Sequence, residues 1–178
     1  MAKGITETSV RDITREVGIS EGALYRHFES KDDLVWRTFE QNYTAFAREL
    51  AALAAREPGA RQKIAAMIRG FCRAHDANPM LFNFLVFVQH GQLAKLPADA
   101  PTPVTVMRTV LLRAIEQGEI PAQDPDLATA LVLGAVLQPA TFAAYGRIAL
   151  KLEPITERLV AAAWAAVNTV SPNGGSRS

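Results

Sequence analysis

Ser20, Glu21, Gly22, Tyr25, Arg26 and His27, with Lys31 just beyond, crowd hydroxyl, carboxylate, phenol, guanidinium, imidazole and ammonium groups into one short stretch. No Gly-x-Ser-x-Gly elbow, phosphate loop or His/Asp cluster at ligand spacing accompanies them, so catalysis is not expected. The mixture suits a polyanion. Tyr25 and His27 can hydrogen-bond phosphate oxygens, Lys31 adds a charge, and Gly22 lets the backbone approach closely. Ser9 and Lys31 stand at helix starts, where free backbone N–H groups face an anion. Arg26 and Glu21 are the candidates for base or backbone readout. A glutamate can accept from cytosine N4, but it repels phosphate, and the simpler role for Glu21 is to favour its own helix N-terminus. Ser9 and Ser20 read as caps and contacts at once. Elsewhere, Cys72 and His75 form a Cys-x-x-His pair without a second pair, so neither a metal nor a cofactor is expected.

The pattern that must position these groups is helical throughout, with no long β alternation. Val10, Ile13 and Val17 make one apolar stripe that stops at Gly18, and only Ile19 separates that glycine from the Ser20 cap. Helix, tight glycine turn and second short helix form a helix-turn-helix. Leu24 and Phe28 give the second helix its buried side. Ser30-Lys31-Asp32-Asp33 resembles a capping box and opens a long helix carrying Val35, Phe39, Tyr43, Phe46, Leu50 and Leu53. That helix should end near Arg56-Glu57-Pro58-Gly59.

Further helices follow. Ile64, Met67, Ile68, Phe71 and His75 share a face. Asn78-Pro79 caps a helix from Met80 to about Leu93 that is apolar nearly all round and is expected to be central. A Pro-rich loop precedes a helix ending at Gly118. Asp124-Pro125-Asp126 starts a helix to about Leu150, with a kink or break at Pro139. Glu153-Pro154 opens the last helix, and the tail 171–178 reads as disordered.

The chain has 178 residues, 49% hydrophobic and 21% charged, with net charge +1. That length supports a core, and a nucleic-acid site must be a local patch rather than a global basic field. The single cysteine excludes an intramolecular disulfide and suits a reducing compartment. No signal-peptide pattern opens the chain, and the most apolar stretch, Met80–Val88, is too short for a bilayer. A cytoplasmic protein without a membrane partner is expected.

Thr8-Ser9-Val10-Arg11-Asp12-Ile13, Gly18 through Phe28, and Ser30-Lys31-Asp32-Asp33-Leu34 together resemble the DNA-binding signature of TetR-family transcriptional regulators. The resemblance covers about the first fifth of the chain. It implies an all-α fold: an N-terminal helix-turn-helix DNA-binding unit (1–48), then a helical ligand-binding and dimerisation domain (49–170). It assigns DNA contact to Ser9, Ser20, Gly22, Tyr25, His27 and Lys31. It implies a homodimer on a palindromic double-stranded operator, acting as a repressor released by a small apolar effector. Two departures stand out. Family members carry a full helix ahead of the Gly4-Ile5 turn, where this chain has Met1-Ala2-Lys3. Glu21 stands where a basic or small residue is usual. The alternative is a helical ligand-binding and dimerisation module that has lost DNA binding with that helix.

For the effector, Phe71, His75, Phe84, Phe87, Met107 and Phe142 could line an apolar cavity, with His75, His90 or Gln138 as polar points. Aromatic and Met residues at helical spacing are more often core than pocket. For the dimer, the small-residue face Ala128, Leu131, Ala135, Ala162, Ala163, Ala166 and Val167 suits close helix packing in a four-helix bundle.

Overall fold

The computed structural model describes residues 28–169, and these are all-α. The helices are α1 (Lys31–Ala55), α2 (Ala60–Ala77), α3 (Pro79–Gln92), α4 (Pro103–Glu116), α5 (Pro125–Ala144) and α6 (Thr156–Val167). Short 3-10 turns at Leu93–Lys95 and Glu153–Ile155 follow α3 and precede α6. The chain divides into two compact units, Met1–Gln41 and Asn42–Ser178, so the division falls within the α1 segment. The family resemblance implies a boundary between residues 48 and 49. The first two helices expected from the sequence, and the tail, lie outside the described residues.

Local chemistry sets the helix ends. Ser30 Oγ accepts from the Asp33 amide at 3.1 Å, and Asp33 reaches back to the Glu29 amide at 3.0 Å. Asn78 caps α3 through the Leu81 amide, and Asp124 caps α5 through the Asp126 amide, each followed by a proline at the first helical position. Thr102 and Thr105 form a reciprocal capping box at α4. Gly118 and Gly146 adopt φ of 71° and 67°, the left-handed turn that ends a helix at little steric cost for glycine. At each, paired bonds close the last turn: Glu119 N–H to the Ala114 carbonyl, and Arg147 N–H to the Phe142 carbonyl. The helix expected to run to about Leu150 therefore ends at Ala144. It passes through Pro139 without a break.

Helix α2 is the centre. Ile64, Met67, Ile68, Phe71 and Cys72 are buried, and the helix packs against α3, α4, α5 and α6. Gly70 lets α1 come close, since a Cβ there would sit 2.9 Å from the tips of Leu50 and Leu53. The expectation that α3 would be central is overturned. Only Phe82 and Leu85 of that helix are buried, and Met80 is 82% exposed. An all-round apolar sequence leaves the buried face open, and packing on α2 selects one stripe.

A buried carboxylate ties the centre to the last helix. Asp76 Oδ1 accepts from His75 Nδ1 at 2.7 Å and from the Leu152 amide at 2.9 Å; Oδ2 accepts from the Glu153 amide at 2.8 Å. Both side chains of the His75–Asp76 pair are at least nine-tenths buried. Burial alone would raise the carboxyl pKa, but the hydrogen bonds from Glu153, His75 and Leu152 hold it below its ordinary 3.8. Since the folded value is the lower one, this stabilisation is fully present above pH 3.8 and is lost as pH falls through the folded value. Asp76→Ala strands three donors, and urea unfolding at neutral pH should show a loss of about 3 kcal/mol. Asp76→Asn should lose less and should show a flatter fall in stability below about pH 4 than the parent.

Candidate functional site

The expected DNA-contact residues Ser9, Ser20, Glu21, Gly22, Tyr25, Arg26 and His27 lie outside the described residues. Lys31 is described, as the first residue of α1. It belongs to the turn whose leading amides lack helical acceptors. Asp33 stiffens that turn, since its second oxygen accepts from Arg37 Nε at 2.8 Å. The Glu29 amide and Arg37 hold the Asp33 carboxyl below the usual carboxylate value. The Arg37 guanidinium in turn lies 6.0 Å from the centre of the Phe28 ring.

The second unit contains an apolar cleft of about 40 Å³. Tyr43 and Phe46 of α1 and Phe71 of α2 form one wall. Phe82, Leu85, Val86 and Gln89 of α3 form another, and the start of α4 (Pro103, Val104) with Leu133 and Leu137 of α5 closes it. The rings meet edge to face: Phe46 and Phe71 at 5.0 Å and 89°, Phe71 and Phe82 at 6.4 Å and 82°. Such pairs hold a wall without filling it face to face. A polar tie crosses the cleft, from the Tyr43 hydroxyl to Gln89 Oε1 at 3.1 Å.

Of the expected pocket residues, Phe71 lines this cleft. His75 stands one ring behind, edge-on to Phe82 at 5.3 Å, with Nδ1 committed to Asp76. Met107 is wholly buried in the general core. Phe84, Phe87 and His90 lie off the α3 stripe formed by Phe82, Leu85, Val86 and Gln89. Phe87 is 42% exposed and stacks on Tyr145 at 5.6 Å. Gln138 and Phe142 are exposed on α5. Phe84, Phe87, His90, Gln138 and Phe142 thus stand outside the lining of this cleft. Tyr43 and Phe46 were visible in the α1 stripe. Gln89 could have been found from its place at i+7 from Phe82.

The expected interface residues also divide. Ala128, Ala163 and Val167 are wholly buried in the chain's own core, where α5 packs on α6, and no partner could touch them. Leu131 and Ala162 are exposed, and Ala135 and Ala166 are half-buried. A longer outward stripe emerges on α5: Leu127, Leu131, Gly134, Gln138, Phe142 and Tyr145, spaced at steps of three and four. Leu127 is 58% exposed and Tyr145 64%. Beside it α6 shows Ala161, Ala162 and Ala165 outward. With mean hydropathy 1.7, α5 is also long and apolar enough to cross a membrane. Among the described residues, α5 is the helix long and apolar enough to cross a membrane, whereas Met80–Val88 is too short to do so. The inner face of α5, Val132, Val136 and Ala140, is in the core.

Residues 1–37 match the family model for bacterial regulatory proteins of the tetR family. Two uncharacterised HTH-type transcriptional regulators of Mycobacterium tuberculosis, from strains CDC 1551 and H37Rv, are each 26% identical over 172 residues. The match covers 94% of this chain and 72% of each relative. Among solved structures, the fold resembles the transcriptional regulator FadR of Bacillus subtilis in complex with stearoyl-CoA. The TM-score is 0.70 at 17% identity, over 92% of this chain and 90% of that one. It also resembles the TetR-family regulator PfmR of Thermus thermophilus, with a TM-score of 0.68 at 20% identity, over 90% of each chain.

Burial pushes the Tyr43 phenol up to about 12. The unfolded chain then ionises this group before the folded one does, so stability should decline between about pH 10 and 12. Absorbance titration at 295 nm should show one late tyrosine step that Tyr43→Phe removes. The same variant leaves Gln89 without its partner and should cost about 1 kcal/mol in urea unfolding.

Proposed function

We propose that this chain, a TetR-family transcriptional regulator, is a dimeric repressor that leaves a palindromic operator when a small apolar molecule enters the Tyr43–Phe71–Phe82 cleft. The observation that carries the reading is the cleft itself. It is aromatic on its α1, α2 and α3 sides, is crossed by the Tyr43–Gln89 hydrogen bond, and is far smaller than the ~300–1,000 Å³ of an occupied ligand site. An apolar ligand must part α1 from α3 and break the Tyr43–Gln89 bond to be admitted. It therefore binds the opened state better than the closed one, which is the condition for shifting a two-state equilibrium. A coupling of about 1–3 kcal/mol is enough to weaken operator binding severalfold or more. The stearoyl-CoA in the complex of the Bacillus subtilis neighbour, whose acyl chain is apolar, supports a ligand of this character.

Dimerisation rests on the outward stripe of α5 beside the alanine face of α6. A second copy meeting the same surface would build a four-helix bundle across a two-fold axis. In the DNA-binding unit, Ser9, Ser20, Gly22, Tyr25, His27 and Lys31 hold phosphates, and Arg26 with Glu21 faces bases or backbone. Two recognition helices then fall in successive major grooves, roughly 34–36 Å apart.

Gel-shift titrations against the promoter beside the gene should show Lys31→Ala and Tyr25→Ala weakening binding. Each lost phosphate contact should flatten the log–log salt slope by about 0.9. Unchanged slopes would remove the phosphate assignment. Absence of any shift with a folded dimer would favour the reading as a module without DNA binding. In sedimentation, Leu131→Arg with Phe142→Arg should convert a dimer to a monomer. A dimer that survives both would place the interface elsewhere.

A further inference from the structure

A second cleft, separate from the aromatic one, lies between the end of α1, the start of α2 and the outer face of α4. Its volume is about 230 Å³. It opens to solvent between the helices, and its depth has a local cause. That cause is in the residues: five of those lining it, Ala51, Ala54, Ala55, Ala60 and Ala114, are alanines too short to fill it. Val106 and Val110 complete an apolar floor.

The rim is charged. Lys63 of α2 and Arg113 of α4 stand over the cleft, and among the described residues neither makes an ion pair. The carboxylate at the rim, Glu119, is already engaged. The Gly118 turn aims it at α2, where Oε2 accepts from the Ala60 amide at 2.7 Å. The Gly59 N-cap supplies no side-chain acceptor there. Glu119 answers the helix N-terminus and forms no ion pair with either cation, so two cations against one carboxylate leave the rim with a net positive charge.

We propose that this cleft is a second small-molecule site, selective for a monoanion with a compact apolar body: a carboxylate whose hydrocarbon part rests on the alanine floor while its oxygens meet Lys63 and Arg113. An anion without an apolar body would leave the floor empty, and a neutral body would leave the two cations unanswered. The site shares no lining residue with the aromatic cleft and stands whether or not that cleft takes an effector.

Benzoate and benzamide are the probes, because they match in shape and differ in charge. Amide ¹H–¹⁵N spectra of the full chain should show benzoate shifting Ala51, Lys63, Thr109 and Arg113 along one saturating curve, with benzamide at least tenfold weaker. Lys63→Gln and Arg113→Gln should each weaken benzoate about five- to tenfold, their spectra otherwise reporting an intact fold. Ala51→Leu, which fills the floor while keeping both cations, should abolish binding. Equal response to the two probes, indifference to both charge variants, or shifts confined to Leu85, Val86 and Gln89 would each overturn the proposal. The last outcome would put benzoate in the aromatic cleft instead.

Discussion

The structure depends on α2 being covered on nearly every side. A helix that buries Ile64, Met67, Ile68, Phe71 and Cys72 cannot rest on a single partner, since each neighbour covers only one stripe of its surface. Helices α3 to α6 take up those stripes, and α1 reaches in where Gly70 leaves room for Leu50 and Leu53. Two carboxylates then lock the arrangement at the ends of α2. Glu119 caps its first turn, and Asp76 near its last turn holds the amides that lead into α6. Each joins segments far apart in sequence by charge-assisted hydrogen bonds, and the Asp76 side chain is itself buried.

The same centre explains where the clefts are. Around Phe71 the neighbours contribute aromatic rings, which meet edge to face and leave a small apolar gap. Around Ala60 they contribute alanines, which leave a larger gap under two cations. The chemistry of each cleft follows from side-chain size at the α2 contact: large flat groups leave a narrow seam, and truncated ones leave a wider open groove. The outer layer has a different constraint. Helix α5 is apolar on two faces, one set against α2, α4 and α6 and the other outward. An apolar stripe of this kind needs a second surface to cover it.

Much of this was legible in the chain. Ser30, Asn78 with Pro79, Asp124 with Pro125, and Gly118 marked helix ends where the structure has them, because a cap is a bond between near neighbours and needs nothing distant. The capping box at Thr102 was missed, since a threonine replaces the usual Glu or Gln at its third position. The end of α5 at Gly146 was missed because the apolar run continues past it. The aromatic cleft is half legible: Phe71 lines it, while Phe84, Phe87, His90 and Phe142 lie off its walls. Helix α3 is apolar nearly all round, so periodicity could not choose its inner stripe.

The sequence by itself determined that the chain is helical, where most helices begin, and that its first segment carries the residue types for DNA contact. These are properties of local spacing and near-neighbour hydrogen bonds. Only the tertiary structure decided which face of α3 and α5 turns inward, that Asp76 serves Leu152 and Glu153, and that Lys63 and Arg113 overlook one cleft. Those choices rest on contacts between residues far apart along the chain. No local pattern encodes them, because packing against α2 selects among faces that the sequence leaves equally apolar.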